Sequence, residues 1–213
     1  MKIIVFGATG AMGSRVIKEA VSRGHEVTAT VRNQESIAKL PADVTGVIVN
    51  AHDQVASAHA MKGHDVAISA LRAPSGREGE VVGLTRTVLS SATQAGIRVI
   101  VVGGAARLKL SDSSPHTVLS DPDFLPEEIV PIARASLAQA ELCQSTSDAD
   151  WTYASPSAML LPGQRTGIFR TGRDTLLMDE DGQSSISMED FSVALVNEAE
   201  TPRFQRASFT VGY

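Results

Sequence analysis

Lys2-Ile3-Ile4-Val5-Phe6-Gly7-Ala8-Thr9-Gly10-Ala11-Met12-Gly13 is the stretch that decides the architecture. Residues 3–6 form a short continuous apolar run, the mark of a strand covered on both faces. Residues 11–23 then repeat apolar side chains at helical spacing, with Met12, Val16, Ile17, Ala20 and Val21 on one stripe and Gly24 as the closing cap. Three glycines at three-residue spacing join strand to helix. Gly7 lets the chain turn sharply off the strand, Gly10 lets backbone approach a pyrophosphate, and Gly13 lets the helix pack close to the sheet. The helix N-terminus offers unpaired N–H groups and a partial positive charge to phosphates. A glycine trio is weak by itself; the strand before it and the amphipathic helix after it give it meaning. Gly7, Ala8, Thr9, Gly10, Ala11, Met12 and Gly13 are therefore expected to cradle a dinucleotide.

Outward from this turn the same alternation recurs. Continuous apolar runs at 27–31, 47–49, 66–69 and 99–102 read as further buried strands, with helices over 79–95 and 127–145. A sixth strand is expected at 151–155, an irregular stretch over 163–182, a helix at 188–200 and a last strand at 206–211. Strand and helix in alternation predict an α/β, single-domain Rossmann fold over residues 1–213, with a doubly wound, mostly parallel sheet. A small substrate-side subregion is expected over 156–187. Ligands bind outside the carboxyl ends of such strands. That edge should gather the glycine turn, Arg32, Asp53, Ala70-Leu71-Arg72 and Gly103-Gly104.

The end of the second strand bears on the cofactor. NAD binders place Asp or Glu there for the ribose hydroxyls. This chain reads Thr30-Val31-Arg32-Asn33. A guanidinium pairs bidentately with a 2′-phosphate, which a carboxylate would repel. NADP(H) is thus preferred and NAD(H) permitted, with Arg15 in a position to assist. Asp53 either accepts from the adenine amino group or caps the helix that begins near residue 54, and both can hold at once.

Composition narrows the rest. With 24 acidic against 19 basic residues and no cluster of positive charge, direct nucleic-acid binding is not expected. No apolar stretch approaches the roughly 18 residues of a spanning helix, so no membrane role is expected. A single cysteine, Cys143, excludes an internal disulfide and fits a reducing compartment. His25, His52, His59 and His64 show no ligand spacing, so no metal is expected. A cytoplasmic monomer or homodimer acting on a small-molecule acceptor is the expectation.

Phe6-Gly7-Ala8-Thr9-Gly10-Ala11-Met12-Gly13, Val31-Arg32-Asn33, Val101-Val102-Gly103-Gly104-Ala105 and Trp151-Thr152-Tyr153-Ala154-Ser155-Pro156 together resemble one group. It is the atypical short-chain dehydrogenase/reductases, which include NmrA-like proteins and biliverdin reductase B. The closing Phe209-Thr210-Val211-Gly212-Tyr213 is especially similar to bacterial NADH-flavin reductases. The resemblance implies that Arg32 meets the 2′-phosphate and that Ala70-Leu71 and Gly103-Gly104 flank the ribose and nicotinamide. It also implies that Pro156 lies near the carboxamide. Ala51-His52 stand before Asp53 where many relatives carry Gly-Asp.

Most short-chain dehydrogenases protonate an alkoxide through a Tyr assisted by a Lys four residues later. Here Tyr153 is followed by Ser157, Tyr213 closes the sequence, and the helix 127–145 holds neither Tyr nor Lys. Without that dyad, hydride transfer to a flavin or quinone is favoured over carbonyl reduction, because a conjugated acceptor delocalises the incoming charge. The candidate proton donors are His116 and Tyr153; their ordinary readings are a solvated loop histidine and a core tyrosine. The long connection 105–126 carries Leu108, Leu110, Val118, Leu119 and Phe124, expected to roof a planar ligand. The alternative to a flavin reductase is an NmrA-like redox sensor that binds dinucleotide and regulates a partner protein.

Overall fold

The first apolar run is strand β1 (Lys2–Phe6) in the computed structural model, which describes residues 1–213. There follow α1 (Ala11–Ser22), β2 (Glu26–Val31), α2 (Gln34–Ile37), β3 (Val44–Ile48), α3 (Gln54–Met61), β4 (Val66–Ser69), α4 (Glu80–Ala95) and β5 (Arg98–Val102). The second half comprises α5 (Val130–Ser145), β6 (Trp151–Ser155), β7 (Met159–Leu161), β8 (Arg170–Gly172), β9 (Ser185–Ser187), α6 (Met188–Glu200) and β10 (Ala207–Gly212). Eight strands form one sheet in the order β3-β2-β1-β4-β5-β6-β10-β8. Every pairing is parallel except that of β8 with β10. Strands β7 and β9 pair separately, in parallel.

Alternate residues of β1 explain the layers, because successive strand side chains point to opposite faces. Ile3 and Val5 pack with Val16, Ile17 and Ala20 of α1 and with Phe191 and Leu195 of α6. Ile4 and Phe6 pack with Met61 of α3, Val88 and Leu89 of α4, and Cys143 of α5. These four side chains of β1 are fully buried, each worth about 1.5–3 kcal/mol relative to exposure, while Lys2 at its start is exposed. The outermost strand β3 is only half-buried, which is why its pattern was harder to read. It begins three residues before the expected 47–49. Gly46 interrupts the apolar run there, and the side chains of Ile37 and Leu40 lie 3.0 Å from where its Cβ would stand.

Other boundaries shifted for local reasons. The helix expected over 127–145 opens as a single 3-10 turn, Glu127–Ile129, before α5 takes over with Pro131 in its first turn. The stretch 163–182 is not wholly irregular, since it contains β8. Strands β7 to β9 are three residues each, too short for a periodicity to declare itself.

Charge is used sparingly in the interior. Arg98 of β5 donates to the Glu198 carbonyl at 2.8 Å and to Thr152 Oγ1 at 2.6 Å, and pairs with the Glu198 carboxylate. That carboxylate also accepts the backbone N–H groups of Arg203 and Phe204, at 2.9–3.2 Å. At the other end of α6, three carboxylates hold the segment 163–167. Glu189 accepts from Gly163 N–H, Glu19 takes a two-pronged bond from Arg165, and Asp190 accepts from Thr166 and Gly167 N–H. Burial opposes the charge on Asp190, but hydrogen bonds from Thr166, Gly167 and Tyr213 outweigh it and hold its carboxyl below the usual range. Glu19 is likewise held low, chiefly by the bond from Arg165. No helix is long and apolar enough to cross a membrane.

Candidate cofactor cleft

The turn between β1 and α1 is built by close backbone approach. Gly7 adopts φ +79°, and a Cβ there would lie 2.5 Å from the Ala70 carbonyl oxygen. A Cβ at Gly13 would stand 2.1 Å from the Gly7 carbonyl oxygen, so the first turn of α1 rests directly on the loop. Gly10 donates its N–H back to Gly7 at 3.0 Å. Helix α1 starts without a side-chain cap and without an acid in its first turn. By contrast Asn33 caps α2, Asp53 caps α3 and Ser187 caps α6. The N–H groups of Ala11, Met12 and Gly13 have no acceptor within the chain. An uncapped helix start of this kind fits a phosphate, which supplies acceptors and the matching charge.

A cleft of about 400 Å³ opens from this turn along the carboxyl edge of the sheet. Its floor and near wall are Gly10, Ala11 and Met12, then Ala70, Leu71, Arg72 and Ala73 after β4, and Val102 and Gly103 at the end of β5. The far wall is Ile132, Ala135, Ser136 and Gln139 of α5, joined by Leu160 of β7 and Met188 of α6. Val81, Ser75 and Glu78 complete the lining, in which the only titratable side chains are Arg72 and Glu78.

The expected site residues fall into three groups. Gly10, Ala11, Met12, Ala70, Leu71, Arg72 and Gly103 line the cleft together. Gly7, Ala8, Gly13, Gly104 and Pro156 are not among the lining residues, and Ala8 and Pro156 are buried; Thr9 is exposed on the turn. Arg32 and Asp53 lie apart, at the ends of β2 and β3. Arg32 is exposed and makes no hydrogen bond or ion pair. Asp53 Oδ1 accepts the Ala56 N–H at 2.9 Å, the helix cap, and leaves its second oxygen free. Arg15 is committed elsewhere: Nε pairs with Glu189 at 2.6 Å and Nη1 donates to the Ala11 carbonyl at 2.9 Å.

Neither candidate proton donor reaches the cleft. His116 is exposed in the loop, where its N–H donates to Ser114 Oγ at 3.0 Å. Tyr153 is fully buried beneath Gly103-Gly104, and burial pushes its hydroxyl well above the ordinary tyrosine range. Burial also pushes the Cys143 thiol up to about 12, so it serves as packing. The loop 105–126 does not roof the cleft either. Leu108 and Val118 are buried against Leu176 in a small core of their own, with Phe124 and Leu110 packed around it, and Lys109 bridges to Thr117 and Thr175. Apolar side chains in a long loop found one another before any ligand.

Sequence reasoning missed Ile132, Ala135, Ser136 and Gln139, although their 0, 3, 4, 7 spacing puts them on one face of α5. The face mixes polar with apolar residues, so no stripe stood out. Leu160 and Met188 carried no signal.

A family model described as NAD(P)H-binding matches residues 7–202. The chain belongs to this NAD(P)H-binding family. Its solved relatives share the whole fold. The "putative exported protein" of Burkholderia pseudomallei is 38% identical, with TM-score 0.89 and complete coverage of both chains. The "putative epimerase" of Bacteroides thetaiotaomicron is 32% identical, with TM-score 0.88, over 100% of this chain and 96% of that one. The "putative NADH-flavin reductase" of Streptococcus pneumoniae is 28% identical, with TM-score 0.85, over 100% and 99%. NAD(P)H binding is what the family model describes, and the glycine turn Gly7–Gly13 lies within the residues it matches.

Proposed function

We propose that the protein is an NADPH-preferring oxidoreductase that passes hydride to a flavin or a similar planar, conjugated acceptor. One observation carries this reading: the cleft running on from the phosphate cradle is walled by Val81, Ile132, Ala135, Leu160 and Met188 and presents no acid or base except Arg72 and Glu78. Reducing a carbonyl creates a basic alkoxide, for which a positioned acid is worth roughly 10²–10⁴-fold. A flavin or quinone spreads the charge over its rings and takes its proton from solvent, so an apolar wall suffices. The name of the pneumococcal relative supports the same acceptor class. The epimerase name fits less well, because α5 lacks the Tyr and Lys that such chemistry uses.

When bound, the dinucleotide supplies two electrons and a proton as hydride. The chain's own share is binding and placement. The α1 N–H groups take the pyrophosphate, and Arg32 is free to pair with a 2′-phosphate at the end of β2. Ala70 to Ala73 and Gly103 form the surface on which the reactive half lies, and Ile132, Leu160 and Met188 present an apolar face to the acceptor. A cytoplasmic location suits this activity, since reduced dinucleotide is regenerated there. The test is to mix purified protein with NADPH and FMN, then with quinones, and follow the reduced-nicotinamide absorbance with and without oxygen. Consumption that saturates with acceptor supports the reductase. Tight stoichiometric binding with no consumption overturns it in favour of a dinucleotide sensor.

A further inference from the structure

Tyr153 stands among the largest fully buried side chains, and its hydroxyl sits at a junction. It accepts the Gly104 N–H at 3.1 Å and donates to the Ser136 carbonyl at 2.8 Å, with Gln139 Oε1 as a second acceptor at 3.4 Å. Gln139 Nε2 in turn donates to Thr85 Oγ1 at 2.9 Å, and that hydroxyl donates to the Val81 carbonyl at 2.8 Å. The ring works together with the hydroxyl: a Cβ at Gly103 would lie 2.0 Å from Tyr153 Cζ, so the loop backbone rests on the ring. A buried tyrosine needs one partner to be satisfied. This one ties the β5 loop to α5 and, through Gln139 and Thr85, to α4. Gly103, Ser136, Gln139 and Val81 all line the cleft.

Topology says which half of the dinucleotide this junction faces. With the pyrophosphate at the start of α1 and the adenosine half toward β2 and Arg32, the other half crosses the ends of β4, β5 and β6. We propose that the Tyr153 hydroxyl is a positioning residue: through Gly104 and Ser136 it sets the gap between the β5 loop and α5 that holds the nicotinamide end of the cofactor. This rests on the dinucleotide reading above. Tyr153 touches neither cofactor nor acceptor; it acts through the loop. A displacement of about 1 Å at the reacting centre costs on the order of 100-fold in rate.

The test is Tyr153→Phe, which keeps the ring and leaves the Gly104 N–H and the Ser136 carbonyl without their shared partner. Three readouts are compared with the parent protein: the fluorescence anisotropy of bound NADPH, calorimetric binding of adenosine 2′,5′-bisphosphate, and FMN reduction. The expected result is unchanged adenosine bisphosphate affinity, lowered nicotinamide anisotropy, and kcat down about 10-fold or more with little change in the KM for NADPH. Parental anisotropy and kcat in the variant would overturn the proposal. So would parallel weakening of both ligands with a lowered Tm, which marks general damage to the fold. Gln139→Met keeps the Tyr153–Ser136 bond and is expected to shift the same readouts partway. It carries the test if the phenylalanine variant fails to fold. A parent that binds NADPH with a restrained ring but reduces no acceptor would sink the reductase reading alone, because the anisotropy comparison still decides the role of Tyr153.

Discussion

Arg32→Ala asks the electrostatic question most directly, because the side chain has nothing else to do. It is exposed and unpaired at the end of β2, so its removal breaks no internal bond and should alter folding stability by less than about 0.5 kcal/mol. A charge-assisted, two-pronged contact with a 2′-phosphate is worth about 1.5–3 kcal/mol. Exposure to solvent places the expectation toward the lower end, so the NADPH dissociation constant should rise roughly 10- to 30-fold. NADH, which lacks the phosphate, should change by less than about twofold. Calorimetric titration of both dinucleotides at low and high salt reads this out, and the NADPH penalty should shrink as salt screens the pair. Arg32→Lys keeps the charge but loses the planar fork, so it should fall between. Equal losses for the two dinucleotides would refute the assignment of Arg32 to the phosphate.

Gly13→Ala forces a Cβ against the Gly7 carbonyl, which as backbone cannot swing aside. Denaturant titration should show a loss of about 1–3 kcal/mol, and NADPH affinity should drop by more than stability alone explains. Glu198→Ala strands the Arg98 guanidinium inside the sheet and should cost roughly 3–5 kcal/mol, whereas replacing both residues by Met or Leu should recover only part of it in the same urea experiment, because the Arg203 and Phe204 N–H groups still lose their acceptor. Asp190 and Glu19 titrate below their ordinary values in the folded chain, so their stabilisation is complete above the unfolded values near pH 4 and fades as pH falls through the lower folded ones. Melting temperature should therefore hold steady from about pH 7 to 5 and fall below about pH 4. Asp190→Asn should lower it at neutral pH and flatten the acid slope.

The legible parts of the molecule were those where local chemistry and topology agree. Gly7, Gly10 and Gly13 announce a turn that the strand and helix around them confirm, and the central strands declare themselves because both faces are buried. The apolar continuity of β4 and β5 needed no partner to be read. The site's outer wall was less legible for a reason of distance. Residues of α5, β7 and α6 meet at the cleft only because the chain returns to it after long excursions, and no local pattern records that meeting. The loop 105–126 misled because apolar content shows that burial will occur, not against what. Asp53 shows the same ambiguity at one residue, since its carboxylate shape suits a cap and a ligand equally well.

The packing of α1 against α6 sets an order of events during synthesis. Helix α1, whose start is uncapped, is synthesised long before Phe191 and Leu195 of α6, which help to cover its apolar stripe. Until they arrive, Val16, Ile17 and Ala20 have the sheet residues Ile3 and Val5 on one side and nothing on the side that α6 later covers, so part of the stripe stays exposed. A chain lacking α6 is therefore expected to expose the apolar stripe of α1 beside the glycine turn and to aggregate more readily than the full chain.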